Sequence, residues 1–166
     1  EVDCGVSVGI PTSESIEELL EEVGMYVDAG YRRIKLKIEP GWDIEPVAVV
    51  RERWPTIPLQ VDANQAYSRE HAHHLARLDE FDLLLIEQPL EEEDWWGHTL
   101  IARACSTPIC LDESILSTES AESAIEFGAA SNINIKPGRV AGFLEAKKIV
   151  LELIDLSVEI LTPLKF

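Results

Sequence analysis

Short apolar stretches recur along the chain, and in each of them apolar and polar residues alternate. Five of them lie at residues 32–38 (RRIKLKI), 58–64 (PLQVDAN), 83–89 (LLLIEQP), 108–114 (PICLDES) and 132–137 (NINIKP). The stretch VDCGVSVGI at residues 2–10 has the same character. Alternation with a period of two is typical of a β-strand with two different faces. The pattern therefore predicts six short strands.

The segments between these strands carry apolar residues at helical spacing. After the first strand comes SIEELLEEVGMYVDAG, in which Ser15 and Glu18 are placed as a capping box and Gly30 as a helix stop. Six repeats of strand and helix favour a parallel sheet of βα units. We therefore predict the α/β class and a partial TIM-type (β/α) barrel of about six units.

Each of the last five predicted strands carries one ionisable residue near its carboxyl end. These residues are Lys37, Asp62, Glu87, Asp112 and Lys136. About 25 residues separate each of them from the next. The equal spacing predicts that all five stand at an equivalent height on one rim, which is where α/β barrels place their chemistry.

Side-chain parity predicts which face of the sheet these groups occupy. In residues 132–137 the asparagines and the lysine share one face, and the isoleucines share the other. The apolar face can pack on the helices, which turns the polar face towards the inside of the sheet. By the same reasoning Lys35 and Lys37 point inwards. Taken alone, two such lysines are more typical of a solvated strand face.

Composition narrows the function classes. The chain has 166 residues, of which 46% are hydrophobic, and a net charge of −17, so we expect one globular domain that binds neither nucleic acid nor an anionic membrane. No apolar run approaches the roughly 18 residues of a membrane span. Three cysteines at no metal-like spacing favour a reduced, cytoplasmic protein.

Three converging carboxylates need a cation, because their mutual repulsion in a partly buried place is too costly. Oxygen ligands of this kind suit Mg²⁺ first and Mn²⁺ second. A lysine close to the cation can act as a base near neutral pH. The set therefore predicts removal of a proton next to the carboxylate of a small-molecule substrate, with the divalent ion stabilising the enediolate.

These stretches resemble the enolase superfamily. The resemblance rests on KLKIEPGWD, VDANQ, IEQP, LDES and INIKPGRV, which occur in order within roughly residues 5–148. More narrowly the chain is similar to the muconate-lactonising subgroup, and within it to the o-succinylbenzoate synthase/N-succinylamino acid racemase family. The resemblance implies Asp62, Glu87 and Asp112 as Mg²⁺ ligands and Lys37 and Lys136 as the acid/base pair.

The resemblance further implies that Lys35 supports the substrate carboxylate and that Asn64 lies behind the metal ligands. The implied activity is o-succinylbenzoate synthase, a dehydrating lyase of menaquinone biosynthesis. The alternatives are N-succinylamino acid racemase, dipeptide epimerase and muconate cycloisomerase. An inactive fragment that binds no metal also stays open.

Members of this family run to roughly twice this length. We therefore expect residues 1–166 to form an incomplete barrel domain without the N-terminal capping domain and the last barrel strands, with residues 149–166 departing from the family pattern. An open barrel exposes strand edges, which is a hazard for aggregation or intermolecular pairing. We also expect the protein to be a homo-oligomer. The histidines of HAHH, which are His71, His73 and His74, fit a surface helix better than a zinc site.

Overall fold

Seven parallel strands form one sheet in the computed structural model, which describes residues 4–155 and 159–161. Within those residues the strands lie side by side in chain order, so each pairs with the next one along the sequence. They are β1 (Gly5–Val8), β2 (Arg33–Lys37), β3 (Leu59–Asp62), β4 (Ile86–Glu87), β5 (Ile109–Leu111), β6 (Asn132–Asn134) and β7 (Glu159–Leu161). All six predicted strands are present, each shorter than its sequence stretch.

A helical segment follows each of the first six strands. The α-helices are α1 (Ile16–Asp28), α2 (Ile44–Arg53), α3 (Ala72–Leu75), α4 (Trp95–Ala104), α5 (Thr118–Glu126) and α6 (Phe143–Asp155). Two 3₁₀ turns, Arg69–His71 and Ala76–Phe81, flank the short α3. Within the described residues, no helix is both long enough and apolar enough to cross a membrane.

The order of elements confirms the predicted α/β class and partial TIM-type barrel. Consecutive parallel strands joined by helices are the repeating unit of such a barrel. The strand β7 lies within residues 149–166, the segment expected to depart from the family pattern, and it pairs with β6. Residues 1–3, 156–158 and 162–166 lie outside the described residues, including part of the sequence stretch predicted as the first strand.

The outward face of the sheet forms the hydrophobic core. Ile34 and Leu36 of β2 and Val61 of β3 are fully or almost fully buried against the helical layer, as are the apolar residues of β5 and β6. Burying one such side chain stabilises the fold by about 1.5–3 kcal/mol. The polar residues that alternate with them are consequently forced to the inside of the sheet.

Helix α1 begins and ends where the sequence indicates. The Ser15 hydroxyl accepts a hydrogen bond from the Glu18 backbone N–H, which is one half of the predicted capping box. The other half differs, because the Glu18 carboxylate accepts from the Ser13 hydroxyl at 2.6 Å. Gly30 adopts a φ of 90°, which a residue with a side chain would adopt only with strain, and so ends the helix as predicted.

Asp79 connects the segment before β4 to the segment before β5. Its carboxylate accepts hydrogen bonds from the Ser106 backbone N–H at 2.7 Å and from the Thr107 backbone N–H at 2.8 Å. The Thr107 hydroxyl donates a further bond at 2.7 Å. Partial burial acts to raise the pKa of Asp79, but these donors outweigh it and hold the pKa below its usual value. The charged form therefore stabilises the fold.

We expect Asp79→Asn to lower the free energy of unfolding at pH 7 by about 1 kcal/mol. A carboxyl group whose pKa is lowered in the folded state stabilises the fold at pH values above its unfolded pKa of about 3.9. This stabilisation is lost as the pH falls through the pKa of the folded state. The free energies of unfolding of Asp79→Asn and the parent, measured by denaturant titration, should therefore differ most near pH 7 and become equal in acid. Glu80→Gln, an exposed neighbour, is the matched control. A difference between Asp79→Asn and the parent that does not change with pH would contradict the assignment.

Candidate active site

The inward-facing charged residues meet at the carboxyl ends of the central strands. Lys37 is the register partner of Asp62, and Asp62 is the register partner of Glu87. Asp112 follows β5 directly, and Lys136 lies two residues beyond the end of β6. The structure therefore brings the five predicted rim residues to one end of the sheet.

Lys37, Asp62 and Glu87 are aligned in the hydrogen-bond register, whereas Asp112 and Lys136 lie further along their strands than that register. The register partner of Glu87 is Cys110, and Asp112 stands two residues further along its strand. Cys110 in turn pairs with Asn132, four residues before Lys136. Barrel strands tilt and are staggered, so residues at equal height are not all register partners, and the equal height of the five residues stays a prediction.

The three predicted metal ligands are deeply buried. The exposed fractions are 2% for Asp62, 1% for Glu87 and 0% for Asp112. Carboxylates are almost never buried to this extent without a partner, since loss of hydration disfavours the charged form. Their burial makes the nearby cations essential to the site.

Lys35 is the cation that Asp62 and Glu87 share. Its ammonium group lies 2.8 Å from Asp62 Oδ2 and 3.1 Å from Glu87 Oε2. Lys37 donates to the same Asp62 oxygen at 2.6 Å and also to Asn64 Oδ1. Both lysines therefore point inwards, as side-chain parity predicts, and the alternative of a solvated strand face is wrong.

Charge coupling moves the pKa values of this group in different directions. Burial lowers the pKa of Lys35, but the carboxylates of Glu87 and Asp62 outweigh burial and raise it above the usual value. Burial likewise raises the pKa of Asp62, yet Lys35 and Lys37 bring it below the usual value. For Glu87, burial and the neighbouring Asp62 charge prevail and the pKa is raised.

Asp112 has two cationic partners. Lys136 Nζ lies 2.5 Å from its Oδ2, and the Arg139 guanidinium lies 2.5 Å from its Oδ1. Arg139 also donates to the Asp112 backbone carbonyl at 2.6 Å. Sequence reasoning did not assign Arg139, although it follows Lys136 closely in KPGRV and a basic residue beside a buried acid is the available signal.

Asn64, which follows β3, connects Lys37 to a glutamate that follows β5. Its side-chain carbonyl accepts from Lys37, and its side-chain amide donates to Glu113 Oε1 at 3.0 Å. Its backbone N–H donates to Asp62 Oδ1 at 3.0 Å. The φ of Asn64 is 41°, a left-handed conformation that asparagine tolerates better than most residues. The structure thus places Asn64 beside the candidate ligands.

Gln88 is a buried residue that sequence reasoning missed. Its side-chain carbonyl accepts from the Asp112 backbone N–H at 2.9 Å, and its amide donates to the Ser114 hydroxyl at 2.8 Å. The residue after Glu87 thereby holds the backbone that carries Asp112. A glutamine within an apolar strand end, as in IEQP, is the signal that points to such a role.

The donor set fits a hard divalent cation in its chemistry. Three buried carboxylates from neighbouring strands offer only oxygen, which is the ligand type that Mg²⁺ and Mn²⁺ prefer. In the part of the chain that is described, no three histidine, cysteine, aspartate or glutamate side chains are grouped as a metal centre. In this structure Lys35 and Lys37 are ion-paired with Asp62, and Lys136 is ion-paired with Asp112.

The three histidines of HAHH do not act as one group. His73 is exposed, as predicted for a surface position. His74 is half-buried and its Nε2 lies 2.7 Å from Asp43 Oδ2, which also accepts from the Tyr67 hydroxyl at 2.9 Å. His74 thus lies at the edge of the surface, and its bond to Asp43 links α3 to the start of α2.

Comparison with known proteins identifies the family of this chain. Residues 18–160 match the family described as enolase C-terminal domain-like. An N-succinylamino acid racemase from an Amycolatopsis species is 62% identical over 149 residues, which are 89% of this chain and 40% of that protein. An o-succinylbenzoate synthase from Geobacillus kaustophilus is 48% identical over 90% of this chain and 39% of that protein.

The fold is also shared with solved structures. The L-talarate dehydratase from Polaromonas sp. JS666, solved with Mg and L-glucarate, superposes with a TM-score of 0.87 and 29% identity. That alignment covers 97% of this chain and 46% of the dehydratase. This chain spans about two fifths of the length of the curated relatives that it matches. The chain belongs to the enolase superfamily, in the family of o-succinylbenzoate synthases and N-succinylamino acid racemases.

Proposed function

We propose that the enzyme containing this chain removes the proton next to the carboxylate of a small-molecule substrate. The single observation that carries the proposal is the placement of two lysines around three buried carboxylates. Lys37 on β2 pairs with Asp62, and Lys136 beyond β6 pairs with Asp112. The strands between them carry the acidic residues, so a substrate held over those acids lies between two amines.

Exposure distinguishes the roles of the three lysines. The side chains of Lys37 and Lys136 are 31% and 42% exposed, so both are accessible from the open end of the sheet. The side chain of Lys35 is 19% exposed and lies between Asp62 and Glu87. We assign proton transfer to Lys37 and Lys136, and we assign charge balance and support of the substrate carboxylate to Lys35.

Asp62, Glu87 and Asp112 are the residues that would hold Mg²⁺, with Mn²⁺ as a second fit. A divalent cation at these carboxylates supplies a counter-charge for the negative charge that develops on the substrate carboxylate. Lys37 or Lys136 takes the α-proton. The opposite lysine either returns a proton to the other face, which gives racemisation, or stands aside while a hydroxyl group leaves as water with the proton that the first lysine took, which gives dehydration.

Two substrate classes are supported by specific observations. The relative with 62% identity is an N-succinylamino acid racemase, and the relative with 48% identity is an o-succinylbenzoate synthase. Both activities begin with the same proton removal, so the same residues serve either. We propose the synthase as the main activity and the racemase as its alternative. In this proposal residues 1–166 are the barrel part of the enzyme. The homo-oligomeric state and the cytoplasmic location of the enzyme stay predictions.

We expect Lys37→Ala and Lys136→Ala each to lower turnover by about 10²–10⁴-fold, because each variant loses one positioned acid/base group. In D₂O, each variant should still exchange the α-proton of one N-succinylamino acid enantiomer, and the two variants should retain opposite enantiomers. Proton NMR of each enantiomer with the full-length protein measures this, alongside a synthase assay.

Lys148→Ala is the matched control for the two lysine variants. Lys148 lies on α6 with a side chain that is 51% exposed, and its ion-pair partner is Glu145 of the same helix. This variant should keep parental turnover. Full turnover of Lys136→Ala with both substrates would refute the assignment of two lysines.

We expect Mg²⁺ to bind the full-length protein with measurable heat and to raise its melting temperature. Glu87→Gln and Asp62→Asn each remove one anionic ligand, so both should abolish or strongly weaken the heat in calorimetry. Glu91→Gln, which changes an exposed acid in the loop after β4, should bind like the parent. Absence of heat and of a thermal shift in the parent would instead favour a protein that binds no metal.

A further inference from the structure

Two buried amides hold the Glu87 carboxylate from opposite sides. The Gln60 side-chain amide on β3 donates to Glu87 Oε2 at 3.3 Å. The Asn134 side-chain amide on β6 donates to Glu87 Oε1 at 2.8 Å. The exposed fractions of Gln60 and Asn134 are 2% and 5%, so neither amide reaches solvent. Each carboxylate oxygen of Glu87 therefore has its own neutral donor from a different strand.

The other end of each amide is left without a partner. Gln60 Oε1 and Asn134 Oδ1 are buried, and neither accepts a hydrogen bond from any described residue. Reversing either amide would place its carbonyl oxygen against a carboxylate oxygen, where both atoms are acceptors. The orientation is thus set by Glu87, and the unpaired carbonyls are its consequence.

An unpaired buried carbonyl destabilises the folded chain, and an apolar side chain of similar size would avoid that cost. Both amides are nevertheless directed at one carboxylate in the barrel interior. We propose that Gln60 and Asn134 are positioning residues that fix the orientation of Glu87 for cation binding. This inference rests on the proposed function, in which Glu87 is a ligand of the divalent ion.

Neutral donors suit this role better than the third partner of Glu87 does. Lys35 also donates to Glu87, at 3.1 and 3.2 Å, but its positive charge is repelled by any cation that binds the same carboxylate. The amides carry no net charge, so they can keep their bonds to Glu87 while a cation binds. With one donor on each oxygen, rotation of the carboxylate is restricted whether or not Lys35 stays in place.

The test compares metal affinity with stability in the full-length protein. Gln60→Met and Asn134→Leu remove the amides and keep approximate side-chain volume. Calorimetry with Mg²⁺ measures the affinity, and thermal melting in a chelator measures the stability of the metal-free fold. We expect each variant to bind Mg²⁺ about 10–100-fold more weakly, which is the usual effect of losing a partner of a metal ligand. The melting temperature without metal should change little.

Cys110→Ala is the matched control. Cys110 is the register partner of Glu87 and is fully buried, but its thiol contacts the Leu111 backbone carbonyl instead of the carboxylate. This variant removes packing inside the sheet, so it should lower the melting temperature and leave Mg²⁺ affinity unchanged.

Parental Mg²⁺ affinity in both amide variants, with or without a lower melting temperature, would overturn the inference and show a merely structural role. Failure of the parent protein itself to bind Mg²⁺ would overturn the proposed function, and the inference with it. The two residues lie on different strands, so either variant decides the question if the other does not fold.

Discussion

The ammonium group of Lys35, shared between Asp62 and Glu87, is the interaction on which the site depends. These two residues are register partners on adjacent strands, and their exposed fractions are only 2% and 1%. Without a cation between them their repulsion would oppose the pairing of β3 with β4. Lys35 therefore allows the sheet to carry acids in its interior.

Around this centre, charge is arranged by strand. The acids lie on β3, on β4 and directly after β5, and the lysines lie on β2 and after β6. Lys37 and Lys136 are more exposed than Lys35, so the deep cation balances charge while the outer amines face the open end. This division accounts for a site that is stable in its interior and accessible at its rim.

Three non-glycine residues adopt a left-handed backbone conformation where the site is built. Asn64, Gln65 and Gln88 have φ values of 41°, 70° and 39°, and all three lie just after β3 or β4. Left-handed conformations at such residues persist only where surrounding bonds hold them. The bonds of Asn64 to Asp62 and of Gln88 to the Asp112 backbone supply that support. The strained turns thus place side chains that regular strands would direct elsewhere.

Much of the fold could be predicted from the sequence, because period-two alternation and helical spacing are local properties of the chain. The inward direction of Lys35 and Lys37 followed from parity alone, since one apolar face of β2 must pack on the helices. The proximity of the five rim residues followed from their position at the ends of parallel strands. Their roles as ligands and bases come from the family resemblance and stay predictions.

Other features were decided only by tertiary structure. The register offset of Asp112 and Lys136 from the other rim residues comes from strand stagger, which is a property of the hydrogen-bond ladder across strands. The partners of Glu87 and the contact of Arg139 with Asp112 join residues that are 24 or more positions apart. Local patterns carry no information about such distant pairs, because only the side-by-side pairing of strands brings them within hydrogen-bond distance.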